Sequence, residues 1–414
     1  MTANAFTPPV SQPLGTRHSR WLGFDPWLVL LIVGMIAFGL VMVYSASWDV
    51  SWRLYLDSNA IFFKQLQNLG FALVVMLIAA SVPLHWLRKL AVPIMAVAII
   101  GLLLSLLLSV GGGPRRAILG GSVQPSEMAT LALIIYLAVW MESKGDRLSE
   151  WGYGFLPLMM ILGIVDGLVL LQPDLSVVLT AALVALVMFY LAGAKTAQSL
   201  VITMGGGVVG YILVRLTNTG RARWDQFTAG LIDVDEASYH VQHSLQALYS
   251  GGVFGRGLGA SREKFGLLPA PHTDSIFAII GEELGLLGAL LVILLFALLM
   301  VRGFRIAQAS PDKLTQLLAA GITFYIGIQA LINMSVLLGL LPFAGNALPF
   351  FSYGGSNLTA TLAAVGILLN ISRRKPLEVG PTDYAATVGI SRGNRRRRVS
   401  RLSHHRRPAR ARSR

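Results

Sequence analysis

The residues best placed to do chemistry lie between Leu267 and Gly285, in LLPAPHTDSIFAIIGEELG. His272, Thr273 and Asp274 stand where a polar, glycine-rich segment enters a long apolar run, and Glu282 and Glu283 follow inside that run. At 1.5 Å per residue of helix, the two glutamates fall about 12 Å below Asp274. Acids at that depth in a membrane are costly, and face protein, a cation or a water-filled cavity. Asp274 has two readings. It can cap the helix that follows, accepting backbone N–H bonds, or act as a general base at the membrane surface. The roles pull against each other, because capping favours the anion whereas a base works best with a pKa near the working pH. For Glu282 and Glu283 a structural ion pair is the plainer reading and a proton path the alternative.

Other polar groups interrupt the apolar runs in the same manner. Glu127 in QPSE and Asp174 in QPDL each open a helix after a glutamine and a proline, and capping is the plain reading of both. Arg115 and Arg116 precede Glu127 and could hold a phosphate group. Arg221, Arg223, Arg256, Arg262 and Lys264 share a polar stretch with glycines at 251, 252, 255, 257 and 259. Without a βαβ context this is no dinucleotide fingerprint; cations beside tight turns suit a diphosphate or a carbohydrate. LPFFSYGGSN, Leu348–Asn357, brings Ser352 and Ser356 to the mouth of the last apolar run. Polar backbone there must be buried in protein or line a cavity, so this segment is expected to form the far wall of the same site. Asp166 stands alone in mid-run with no evident partner.

The elements that position these groups follow from composition. Of 414 residues, 54% are hydrophobic and 13% charged, about half the charge of a soluble domain. The expected fold is an all-α integral membrane protein of ten transmembrane helices, with one large extracytoplasmic loop between the seventh and eighth. The runs are Trp27–Ser47, Gln65–Pro83, Leu90–Val110, one from Gln124, Phe155–Leu171, Leu175–Ala194, Ser199–Leu216, Ser275–Val301, Leu317–Leu338 and Asn357–Ile371. The glycines at 205, 206, 207 and 210 of the seventh would let a neighbouring backbone approach. Arg17, Arg20, Arg88, Lys89, Lys144, Arg147, Lys195, Arg302 and Arg305 place both termini in the cytoplasm of a multi-pass cell-membrane protein. Residues 1–24 form a cytoplasmic arm with no signal-peptide core, 25–374 the ten-span domain, and 375–414 a disordered basic tail.

From Arg373 onward fourteen Lys and Arg face only Glu378 and Asp383, so the tail region carries all but +2 of the net charge of +14. A basic tail directly after a span suits anionic membrane lipid rather than nucleic acid. The chain has no cysteine, which excludes disulfides and thiol chemistry. No internal repeat of the transporter kind is apparent.

QPSE, QPDL, SGGVFGRGLG, HTDSIFAIIGEELG and LPFFSYGGS, in this order and spacing, make the chain resemble the SEDS family of shape, elongation, division and sporulation proteins, typified by FtsW and RodA. The resemblance covers about Trp27–Arg374, and GLVMVYSAS at Gly39–Ser47 is more like the division-type FtsW. It implies a ten-span fold and peptidoglycan glycosyltransferase activity that polymerises lipid II onto an undecaprenyl-diphosphate-linked glycan. Asp274 would be the essential acid. Substrate contacts are expected from Arg115, Arg116, Glu127, Arg221, Arg256, Lys264, His272, Ser352 and Ser356. Expected partners are a class B penicillin-binding protein and other divisome proteins. A divalent cation, Mg or Mn, could assist, although no ligand set in the sequence demands one. Three departures stand out: Thr130 where the family has Lys, Ala117 where it has Trp, and Ser275 where it has Phe. The competing readings are a lipid II flippase, with the buried acids as its proton path, and a non-catalytic division scaffold; an elongation-type role is a further variant of the first reading.

Overall fold

The computed structural model describes residues 23–108, 124–172 and 174–373. Arg115, Arg116 and Ala117, most of the amino-terminal arm and the basic tail fall outside these residues. Among the described residues there is no strand. The helices are α1 (Pro26–Tyr55), α2 (Ala60–Ser81), α3 (Leu84–Leu108), α4 (Pro125–Lys144), α5 (Leu156–Leu170), α6 (Leu175–Ala192), α7 (Thr196–Leu216), α8 (Asn218–Gly230), α9 (Tyr239–Gly251), α10 (Ile276–Gln308), α11 (Lys313–Leu337) and α12 (Gly355–Ser372). Ten of them, α1–α7 and α10–α12, are long and apolar enough to cross a membrane. The protein is a multi-pass membrane protein.

Burial sorts the helices into a centre and a rim. α11 and α12 are buried along most of their length, with Tyr325 and Phe351 among the largest enclosed side chains. α1, α2, α3 and α5 each turn a broad apolar face outward, as lipid contact requires. At the end opposite Asp274, Asp25 starts α1: its Oδ1 accepts from the backbone of Trp27 and Leu28 at 3.1 and 3.2 Å. Its Oδ2 meets Arg302 of α10 at 2.6 Å, which ties the first span to the eighth.

Several sequence expectations need correction. α1 runs on past Ser47 to Tyr55, and Asp49 and Arg53, beyond the end of the expected run, pair within it at 2.9 Å. The stretch read as one polar loop contains α8 and α9, which hydropathy cannot see because neither is apolar enough to span. Among the described residues nothing packs on the glycines of α7: a Cβ on Gly205, Gly206, Gly207 or Gly210 would meet nothing within 4 Å.

α10 is two helices joined at a break. Gly285 has φ +68°, a left-handed conformation inside an otherwise regular run. The segment after α9 fills the break with its own backbone. Arg256 N and Gly257 N donate to Glu282 O and Glu283 O at 3.0 and 2.9 Å, and Leu286 N donates to Gly252 O at 2.9 Å. Approach is so close that a Cβ on Gly285 would lie 2.3 Å from Gly255 N.

Candidate functional site

The N-termini of α4, α6, α10 and α12 meet at one end of the bundle, joined by direct hydrogen bonds. Gln124 N, at the start of α4, donates to Ser356 Oγ of α12 at 2.8 Å. Gln124 Nε2 donates to Asp174 Oδ2, at the start of α6, at 2.8 Å. Ser176 Oγ bonds Asp174 Oδ1 at 2.9 Å and Gly345 O at 3.1 Å. The Asp274 carboxylate also lies against Gly345, so that a Cβ there would sit 2.6 Å from Oδ2. The starts of four helices thus gather around Glu127, Asp174 and Asp274, and helix N-termini favour nearby negative charge.

These contacts change the sequence reading of the acids. Asp174 does not cap its helix through its side chain, which bonds Gln124 and Ser176 instead; the cap position of α10 is Ser275. Glu127 also does more than cap. It is 5% exposed and accepts from Tyr325 Oη at 3.1 Å and from Gln329 Nε2 at 3.3 Å. Thr130 turns its hydroxyl to Ser126 O at 3.0 Å, so it supplies no replacement partner for the acids.

The LPFFSYGGSN segment is bonded directly to the HTD residues. Ser352 Oγ donates to Thr273 O at 2.6 Å and accepts from Leu348 N at 2.7 Å. Tyr353 N donates to His272 O at 2.8 Å, and the two rings are 5.4 Å apart. Asn333 Nδ2 donates to Asp274 O at 2.8 Å and also to Asn346 O. Burial holds the His272 imidazole down at about 4, so it is neutral near pH 7. Burial likewise raises the Tyr353 phenol above its ordinary value, opposed by the charge of Lys64, so the phenol keeps its proton. Ser352 and Ser356 thus use their hydroxyls to position backbone.

Of the described cations expected to contact substrate, Lys264 is committed to the fold, whereas Arg221 and Arg256 are exposed. Lys264 is 3% exposed, and its Nζ reaches Glu283 Oε1 at 2.8 Å, Gly259 O at 2.8 Å and Ser45 Oγ at 3.3 Å. Glu282 receives Ser261 Oγ at 2.5 Å, Arg262 N at 2.9 Å and Glu263 N at 3.3 Å, with Arg256 at 3.8 Å. Arg221 Nη2 donates to Arg215 O at 3.0 Å. Arg223 lies over the Phe343 ring, which stacks on His240 at 4.1 Å. Asp166 stays apart from all of these in α5, and its Oδ1 is buried with no hydrogen-bond partner among the described residues.

A family model described as cell cycle protein and covering FtsW, RodA and SpoVE matches residues 26–376. The chain belongs to this family. It is 38% identical over 370 residues to a probable peptidoglycan glycosyltransferase FtsW of Geobacter sulfurreducens, across 87% of this chain and 98% of that one. It is also 38% identical over 361 residues to the stage V sporulation protein E of Bacillus subtilis, across 84% and 97%. Among solved structures it resembles the rod shape determining protein RodA of Thermus thermophilus, at 28% identity and a TM-score of 0.63 over 86% of this chain and 99% of that one. A chain from a peptidoglycan synthase complex, in work on how polymerization and crosslinking are coordinated, aligns at 28% identity and a TM-score of 0.69, again over 86% and 99%.

Sequence reasoning missed the inner supports of this candidate site: Gln65, Ser176, Tyr325, Gln329, Asn333 and Gly345. One signal was present. Tyr325, Gln329 and Asn333 recur every four residues in an apolar run, which places three polar side chains on one face of α11. That face meets Glu127 and the backbone of Asp274.

Proposed function

We propose that the chain is a peptidoglycan glycosyltransferase that polymerises lipid II at the outer face of the cytoplasmic membrane, with Asp274 as its base. The relatives named FtsW support the activity. The single observation that carries the assignment of Asp274 is its carboxylate, held against Gly345 where four helix N-termini converge.

The substrates are those the family resemblance implies, and the placement of Asp274 gives it a role in their reaction. The donor is a glycan on undecaprenyl diphosphate, and the acceptor is the 4-hydroxyl of the GlcNAc of lipid II. As the acceptor oxygen bonds to the donor's anomeric carbon, the bond from that carbon to the diphosphate oxygen breaks with inversion. Undecaprenyl diphosphate leaves with the electron pair, and Asp274 takes the hydroxyl proton. The helix N-termini favour the developing negative charge, and Arg115 and Arg116 would add cations from the segment preceding α4. Asn333 and Ser352 fix the backbone on either side of the base. Among the described residues no three His, Cys, Asp or Glu side chains come together to hold a metal ion, and no step is assigned to one.

In this reading the Asp274 end faces outward and both termini lie in the cytoplasm, with the basic tail on anionic lipid. The partner would be a class B penicillin-binding protein, in keeping with the structural likeness to a chain of a peptidoglycan synthase complex. The role would be in division, as the FtsW relatives support. The test is polymerisation of purified lipid II. Asp274→Ala should lower the rate by about 100-fold or more while leaving the melting profile in detergent intact. Polymer formed at the wild-type rate would sink the assignment, and lipid transport across vesicles without polymer would put a flippase in its place.

A further inference from the structure

Lys264 is buried against Glu283, while Arg256 leans toward Glu282 and Arg221 donates to Arg215 O, so a cation free of such carboxylate and carbonyl contacts would add to the hold on an anionic substrate. Lys64 fits. It is exposed, lies near the start of α2, and enters no ion pair among the described residues. Its amine sits 4.0 Å from the centroid of the Tyr55 ring, a contact that holds the charge in place without neutralising it.

Two relations tie Lys64 to the site. Its neighbour Gln65 is buried; Nε2 donates to Ser352 O at 3.3 Å, and Oε1 accepts from Gly354 N at 3.3 Å. Ser352 in turn donates to Thr273 O, beside Asp274. One residue and two hydrogen bonds thus separate Lys64 from the backbone of the proposed base. The second relation is depth. α2 has 22 residues, which at 1.5 Å each is about the thickness of a hydrocarbon layer. A lysine in its second turn, reaching back toward the end of α1, places its amine at the level of lipid phosphates.

We propose that Lys64, beside Tyr55, binds the diphosphate of a polyprenyl-linked substrate at this edge of the site. An ammonium with a phenol beside it offers several donors, which suits the many oxygens of a diphosphate better than the single charge of a phospholipid headgroup. The identity of the diphosphate rests on the glycosyl-transfer reading; the anion site does not.

The experiment compares wild type, Lys64→Met and Lys64→Arg in phosphatidylcholine nanodiscs, with undecaprenyl diphosphate as the probe. Lys64→Met should weaken binding about tenfold or more, the effect of losing a charge-assisted hydrogen bond, and Lys64→Arg should restore most of it. An unchanged melting temperature for Lys64→Met confirms that the exposed site has not unfolded. Equal affinity in wild type and Lys64→Met overturns the proposal. So does a Lys64 effect that appears only as competition by added phosphatidylglycerol, which assigns the residue to bulk lipid. Lipid II polymerisation is followed in the same preparations. Lys64-dependent binding without polymer from wild type leaves the anion site standing and removes the glycosyl-transfer reading; polymer with Lys64-independent binding does the reverse.

Discussion

Lys264 and Glu283 form a buried ion pair whose disruption has a calculable cost. Their side chains are 3% and 0% exposed, with Nζ and Oε1 2.8 Å apart. At an effective dielectric of about 20, two charges at that separation attract by roughly 6 kcal/mol. Taking both ions out of water costs several kcal/mol each, so the intact pair adds little net stability. Removing one partner is different, because the other keeps its desolvation cost and loses its compensation. Lys264→Met and Glu283→Gln should each destabilise the protein by about 3–5 kcal/mol, whereas the double change should cost only about 1–2 kcal/mol. The assay is equilibrium unfolding in mixed micelles, followed by tryptophan fluorescence and analysed as a double-mutant cycle. Single changes costing under about 1 kcal/mol would refute the buried-pair argument. So would a double mutant as unstable as the two singles combined. The same variants separate the two sequence readings of the acids: on a proton path, Glu283→Gln would stop turnover while stability stayed intact.

Two further predictions join those for Asp274 and Lys64. Gly285→Ala places a side chain at φ +68° and ψ −165°, a region open essentially only to glycine, and 2.3 Å from Gly255 N; the backbone strain alone costs about 1–3 kcal/mol, and the clash adds to it. Its unfolding midpoint should drop sharply; one within error of wild type would show that the break in α10 is not as described. His272 is neutral in the folded state because burial lowers its pKa from 6.5 to about 4. The unfolded chain therefore binds the proton more readily, so stability is full above pH 6.5 and declines as pH falls toward 4. His272→Gln should flatten that decline in melting temperatures measured between pH 4 and 7, and an unchanged slope would count against it.

Much of this architecture was legible because membrane spans are read from apolar length alone, and ten of the helices answer to that test. What hydropathy averages away was missed. α8 and α9 are polar helices at the Asp274 end, and the break at Gly285 sits inside a run that reads as continuous. The acids were harder for another reason. A carboxylate preceding a helix can take its protons from nearby backbone or from a distant side chain, and only the assembled fold decides. Asp174 found Gln124, 50 positions away, and Glu127 found Gln329, 202 positions away. The loop cations failed likewise: Lys264 was legible as a cation beside tight turns, but not as the partner of Glu283.

The stitched break in α10 has a mechanical consequence. Leu286 N–H and the carbonyls of Glu282 and Glu283 find their partners in Gly252, Arg256 and Gly257. Pulling the segment after α9 away would strand these groups where water is scarce, at several kcal/mol apiece. α9 and the first turns of α10 are thereby coupled as one rigid lever. A load applied to α9 is therefore passed to the first turns of α10, the helix that begins just after Asp274.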